Sequence, residues 1–237
     1  MIPFFRKTRK KLADDNRPLK YMRYAIGEIA LVVIGILIAL SINNWNEDRK
    51  KKLKERDILI HMKRNLESDL HQDYPKMVLE MSLKSTNIIL DYLEQCKPYN
   101  DSLDYYFSWI PGTTRHMPNT TAYENLKTIG FDIISNDTLR ENYQLLYEFN
   151  YDLIDFQKNE LAYIIALEFR DFYKKHFRNY IYQKNATPNN YQSLCENNEF
   201  HEMLITVRTD KLVQKEFRIK TNAEVEKLIE MINKELN

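Results

Sequence analysis

The chain has 237 residues, with 35 Lys and Arg against 34 Asp and Glu and a formal net charge of +1. Its four glycines exclude a Gly-rich phosphate cradle, and its two cysteines exclude a disulfide scaffold or a four-thiolate zinc site. An apolar share of 43% excludes wholesale disorder and leaves room for one or two domains.

Along the chain the charge is uneven. Residues 1–56 carry 14 Lys and Arg against six Asp and Glu; the remainder is acidic. The basic residues form two blocks, Arg6 to Arg23 and Arg49 to Arg56, with no Lys or Arg from Tyr24 to Asp48. The gap contains YAIGEIALVVIGILIALSI, residues 24–42, whose one ionisable group is Glu28. Nineteen residues at ~1.5 Å rise span roughly 28 Å, close to the hydrocarbon thickness of a bilayer. A cleaved signal peptide would have a shorter apolar core and a small-x-small cleavage site; here Asn43-Asn44-Trp45 follows. A soluble core helix would leave one polar face, whereas Ile29 to Leu40 is apolar all round. The expectation is an uncleaved transmembrane signal-anchor helix.

Arg23 and Tyr24 at one end, and Trp45, Arg49 and Lys50 at the other, suit the membrane interface. Flanking charge favours a cytoplasmic N-terminus, with the body outside the cytoplasm. The acidic body argues against nucleic acid as a partner. Glu28 lies about one turn inside the span, where it snorkels to water or meets a partner helix. Gly27, Gly35 and Ala39 share a small-residue face that permits close helix approach, together with Glu28.

The run Tyr24-Ala-Ile-Gly-Glu-Ile, then Val33 to Leu40, then Ile42-Asn-Asn-Trp-Asn-Glu47, with Phe4-Phe5-Arg6-Lys7 before it, resembles an uncharacterised family of Gram-negative single-pass membrane proteins. A second, weaker match runs from Thr121 to Leu126, with Gly130, Asn136 to Arg140 and Tyr147. The resemblance implies an inner-membrane location and a helical domain; it brings no activity and no catalytic residue.

The domain expectation is a basic cytoplasmic tail (1–23), the span (24–42), a stalk with the first bundle helix (43–96) and the rest of the bundle (97–237). Leu59, Met62, Leu66, Leu70, Tyr74, Met77, Met81 and Ile88 make one apolar stripe. Pro75 kinks that helix or begins its second piece after Asp73. Residues 97–119 read as a loop region broken by Pro98, Pro111, Gly112 and Pro118, with one short helix capped by Asp101 or Ser102. Its aromatics, Tyr105, Tyr106 and Trp109 among them, either plug one end of the bundle or form a partner-recognition loop.

Thr121 and Glu124 have capping-box spacing, Gly130 ends that helix, and Asn136 or Asp137 caps the next. That next helical stretch runs from about 138 to 177, striped first by Leu139, Tyr143, Leu146, Phe149, Leu153 and Phe156. Residues 179–190 read as a polar connection, 191–195 as a short helix, and 199–236 as a final helix restarted near Thr221. No segment alternates as a strand. The fold expectation is all-α: a transmembrane helix continuing into a stalk, then an antiparallel bundle.

No His is preceded by Glu at i−3, so the di-iron signature is absent, and Glu67 with His71 reads as a solvated acidic face. No cofactor or metal site is expected. Cys96 and Cys195 are either two free thiols or, in an oxidising compartment, a bridge from the first bundle helix to the 190s connection. The reading that results is a non-enzymatic membrane protein whose partners are the bilayer and a protein, itself or an envelope component. The alternatives are a ligand-sensing module acting through a partner, and an enzyme with scattered site residues.

Overall fold

The computed structural model describes residues 18–113 and 117–237. The chain divides into two compact units, Met1–Lys54 and Glu55–Asn237. The Phe4-Phe5-Arg6-Lys7 stretch and the tail to Arg17 lie outside the described residues, as do the side chains of Arg23 and Tyr24.

Helix α1 runs Pro18–Leu70. In the first unit Ile29 to Lys50 is exposed on all sides, as the absence of a polar face in the sequence requires. Among the described residues this is one helix long and apolar enough to cross a membrane, and none of its apolar window is buried. Trp45, Arg49 and Lys50 are exposed, and Lys50 pairs with Glu47 at 3.0 Å.

The second unit is mostly α-helical. It comprises the end of α1, then α2 (Asp73–Glu94), α3 (Leu103–Trp109), α4 (Thr121–Ile129), α5 (Asp137–Leu145), α6 (Tyr151–His176), α7 (Tyr191–Cys195) and α8 (Asn198–Leu236). A 3-10 turn, Phe131–Ile133, precedes α5, and a π-helical turn, Leu146–Asn150, joins α5 to α6. Two antiparallel strands, β1 (Phe177–Ile181) and β2 (Asn185–Pro188), replace the connection expected at 179–190. Phe177 pairs with Pro188 and Ile181 with Asn185; Gln183 adopts a left-handed conformation in the turn.

The core has two clusters. One gathers Ile58, Met62 and Leu66 of α1, Leu126 of α4, Leu139 and Tyr143 of α5, and Val225, Leu228 and Ile232 of α8. The other gathers Ile89, Leu90 and Leu93 of α2, Phe107 of α3, Phe169 and Phe172 of α6, and Phe200, Leu204 and Val207 of α8. Helix α8 therefore runs from the second cluster to the first, antiparallel to the α1–α2 and α5–α6 rods.

Four local expectations fail for physical reasons. The first stripe holds through Leu66, but Tyr74 and Met77 are exposed and Val78, Leu79, Ile89 and Leu90 are buried instead. The helix breaks at His71 and Gln72, which resets the buried face; Pro75 sits in the first turn of α2, where its missing N–H costs little. Thr121 makes no capping box: Thr120 precedes the helix without a side-chain cap bond, and the Thr121 N–H donates to Asn119 Oδ1 at 3.2 Å. Ser102 likewise caps nothing at α3. Helix α8 does not restart at Thr221, which is buried inside a continuous helix. Asn136 does cap α5, accepting the Leu139 N–H at 3.0 Å, and Gly130 ends α4 with φ +98°.

Candidate functional site

An open cleft of about 360 Å³ lies between α4 and the π turn. Its walls are Pro118, Thr120, Tyr123, Glu124, Lys127, Tyr147, Glu148, Tyr151 and Asp152. Tyr123, Glu124 and Lys127 come from one face of α4, as spacings of three and four dictate. The π turn supplies Tyr147 and Glu148 and delivers Tyr151 and Asp152 at the start of α6. Such widened turns recur at functional positions.

The tyrosines form the floor. Tyr123 and Tyr147 stack with centroids 4.7 Å apart and planes 6° from parallel, and Tyr151 meets Tyr147 edge-on at 5.1 Å. Each hydroxyl has a fixed acceptor. Tyr123 donates to Glu148 Oε1 at 2.6 Å, Tyr147 to the Asn119 carbonyl at 2.9 Å, and Tyr151 to Asp69 Oδ2 at 2.9 Å. Asp69 Oδ1 accepts the Asn119 N–H at 2.8 Å, and Asn65 Nδ2 donates to the same Asn119 carbonyl at 3.2 Å. Asn119 thus pins the 117–120 segment to α1 and to the cleft floor.

Burial holds all three phenols above their ordinary range, and neighbouring carboxylates add to it: Glu148 for Tyr123, Asp69 for Tyr147 and Tyr151. They stay protonated at neutral pH, each phenol donating to its acceptor. Burial also raises the Asp69 carboxyl, while bonds from Asn119, Tyr151 and Gln72 oppose the rise. Lys127 lies 3.6 Å from Glu124 and 5.6 Å from the Tyr123 ring centroid. Three carboxylates against one lysine, over aromatic faces, make the cleft receptive to positive charge. Among the described residues no group of three His, Cys, Asp or Glu converges to hold a metal ion. His71 Nδ1 instead lies 2.7 Å from the Glu67 carbonyl.

The 97–119 aromatics divide. Phe107, Trp109 and Ile110 are buried, Phe107 and Ile110 within the second cluster, so Trp109 is not open to a partner. Tyr105 is 41% exposed and Tyr106 half-buried. The unforeseen hairpin adds Tyr180, Ile181 and Tyr182, all exposed, beside them. Tyr182 lies 6.2 Å from Trp109, and the Gln183 amide donates to Tyr74 Oη at 3.2 Å. Inward, the Asp104 carboxylate accepts from Tyr99 at 2.5 Å and from Thr187, which ties β2 to α3.

In the first unit Gly27, Gly35 and Ala39 are exposed, and Glu28 is half-buried. A Cβ on either glycine would meet nothing within 4 Å. Cys96 and Cys195 are free thiols; Cys96 is exposed and Cys195 half-buried.

The sequence reading missed the cleft. Its one available signal was the ladder Tyr143, Tyr147 and Tyr151 at steps of four; Asp69 and Tyr123 join it only through the fold.

A family model described as "Family of unknown function (DUF6090)" matches residues 28–208. No curated protein and no solved structure matches. The match spans well over half of the 237 residues, and the chain belongs to that family.

Proposed function

We propose that this member of a family of unknown function is a single-pass inner-membrane protein that holds its helical body in the periplasm and works by binding, not by catalysis. The observation that carries the reading is the apolar run 29–42, exposed on every side of its helix. Burying apolar surface is worth ~25 cal/mol per Å², so a run of this length left in water opposes solubility strongly, and lipid relieves it. Exposed Trp45, Arg49 and Lys50 beside it suit a headgroup layer. The residue types around the run also resemble those of Gram-negative single-pass proteins.

For the body, protonated tyrosine hydroxyls that are each engaged with an acceptor support recognition over reaction. The exposed side chains Tyr105, Tyr180, Ile181 and Tyr182 support a protein partner from the envelope. The test is twofold. Membranes are washed with alkaline carbonate, and reporters are fused after Asn237. Retention with a periplasmic signal supports the reading; release by carbonate, or a cytoplasmic signal, overturns it.

The cleft favours a second reading, a ligand-sensing module acting through a partner. Its net negative, Tyr-lined walls suit a small organic cation. Titration calorimetry of the detergent-solubilised protein with a set of alkylammonium ions, repeated on Glu148→Gln, distinguishes the two. Binding that the substitution weakens favours sensing; no heat with any cation leaves the partner reading.

A further inference from the structure

Cys96 stands in an unusual place. It follows the end of α2 with φ +41°, in the left-handed region that glycine or asparagine occupies at least cost. Its N–H donates to the Leu93 carbonyl at 3.1 Å, and the Lys97 N–H to the Tyr92 carbonyl at 2.9 Å, which closes the helix. A β-carbon in that conformation is tolerated where the side chain has a task.

What it faces is α7, the short helix that Cys195 ends. The Cys96 Sγ lies 3.6 Å from Gln192 Oε1, and Cys195 follows three residues on, on the same face of α7. The residues on either side of the contact hold α7 in place. Tyr191 packs its ring 5.3 Å from that of Tyr99 and donates its hydroxyl to the Lys97 carbonyl at 3.1 Å. Asn190 caps α7 by accepting the Ser193 N–H at 3.1 Å. Disulfide formation needs β-carbons about 3.5–4.5 Å apart, and these contacts dock the helix that carries Cys195 against the end of α2.

We propose that Cys96 and Cys195 form a reversible redox pair that closes an intramolecular disulfide by exchange with small organic disulfides. The exposed Cys96 thiolate attacks one sulfur of the incoming disulfide, R–S–S–R; that S–S bond breaks and one thiolate leaves. Cys195 then gives up its proton and attacks the Cys96 sulfur of the mixed disulfide, expelling the second thiolate. The protein loses two electrons and two protons, and the small disulfide becomes two thiols. The order follows from access: Cys96 is exposed, while burial and the neighbouring Cys96 thiol push the half-buried Cys195 up to about 11. The bond fastens the end of α2 to the segment between the hairpin and α8.

The test uses the full chain in mild detergent, equilibrated with mixtures of oxidised and reduced glutathione. Intact-mass measurement reads the loss of two hydrogens, and maleimide–polyethylene glycol labelling counts free thiols. The expected result is two labels when reduced and none when oxidised, without dimer, and a Tm higher by ~5–15 °C when oxidised. Cys195→Ser should trap glutathione on Cys96, while Cys96→Ser should take up far less. Overturning results are two labels after oxidation, a stable glutathione adduct on the unsubstituted chain, or a disulfide between two chains. All three are read on the unsubstituted protein, so a variant that fails to fold does not shield the proposal from them.

Discussion

Removing one hydroxyl, Tyr151→Phe, probes the link between the cleft and the core. In the folded protein that hydroxyl donates to Asp69 Oδ2 at 2.9 Å, and Asp69 is only 4% exposed. A hydrogen bond to a charged group contributes about 1.5–3 kcal/mol, and the substitution leaves a carboxylate oxygen short of a partner in a buried place. Taking about 2 kcal/mol, and about 2–4 °C per kcal/mol for a body of this size, Tm falls by roughly 4–8 °C.

The loss depends on pH with a definite sign. Burial raises the Asp69 carboxyl above its ordinary value of 3.8, so the folded state holds a proton that the unfolded chain has released. Asp69 therefore favours folding below its unfolded pKa, and that contribution is lost as pH rises through its folded one. The Tyr151 bond opposes the rise; without it the folded carboxyl moves higher still. The gap between the two proteins must then widen as pH rises from about 4 to 7. Thermal melts of the detergent-solubilised chain at four pH values measure it. An equal gap at every pH, or none at pH 7, would refute the claim that the phenol serves an ionised Asp69.

Three further outcomes are expected. Leu66→Ala and Phe200→Ala should cost about 2–5 and 3–5 kcal/mol respectively in urea melts; lying in separate clusters, their costs should add within about 0.5 kcal/mol in the double variant. Asn197→Ala removes the cap that accepts the Phe200 N–H at 2.8 Å and should cost about 1 kcal/mol in the same melts, with asparagine's replacement by Ser far milder. Ile34→Asp places a charge mid-run at a cost of about 2.5–3.5 kcal/mol for insertion, and the protein should shift from the carbonate pellet to the supernatant.

Regular structure was legible where local rules act alone. The apolar run, the Asn136 cap, the Gly130 stop and the short helix 191–195 follow from residues within a turn of each other. Helix α7 begins and ends where its Asn190 cap and its spacing place it. The hairpin was not legible, because Phe177 to Ile181 reads FRNYI and buries only its first residue. Its strands are held by partners far away in sequence: Thr187 donates to Asp104, and the Gln183 N–H reaches the Ser108 carbonyl at 3.4 Å. A strand fixed from one side by tertiary bonds needs no alternation of its own.

The cleft shows the same limit more sharply. A helix of 3.6 residues per turn carries the stripe Leu139, Tyr143, Leu146 onward to Phe149. Phe149 is instead 56% exposed, while Tyr147 and Tyr151 are buried. The π turn explains the exchange. The wider turn carries the inward face in steps of four, from Tyr143 to Tyr147 to Tyr151, in place of the step of three from Leu146 to Phe149. Leu146–Asn150 carries neither proline nor glycine to mark the widening. Its stabilising partners lie elsewhere, in the Asn119 carbonyl that receives Tyr147 and the Asp69 carboxylate that receives Tyr151. The same two bonds therefore anchor the residues of the widened turn and form the floor of the cleft.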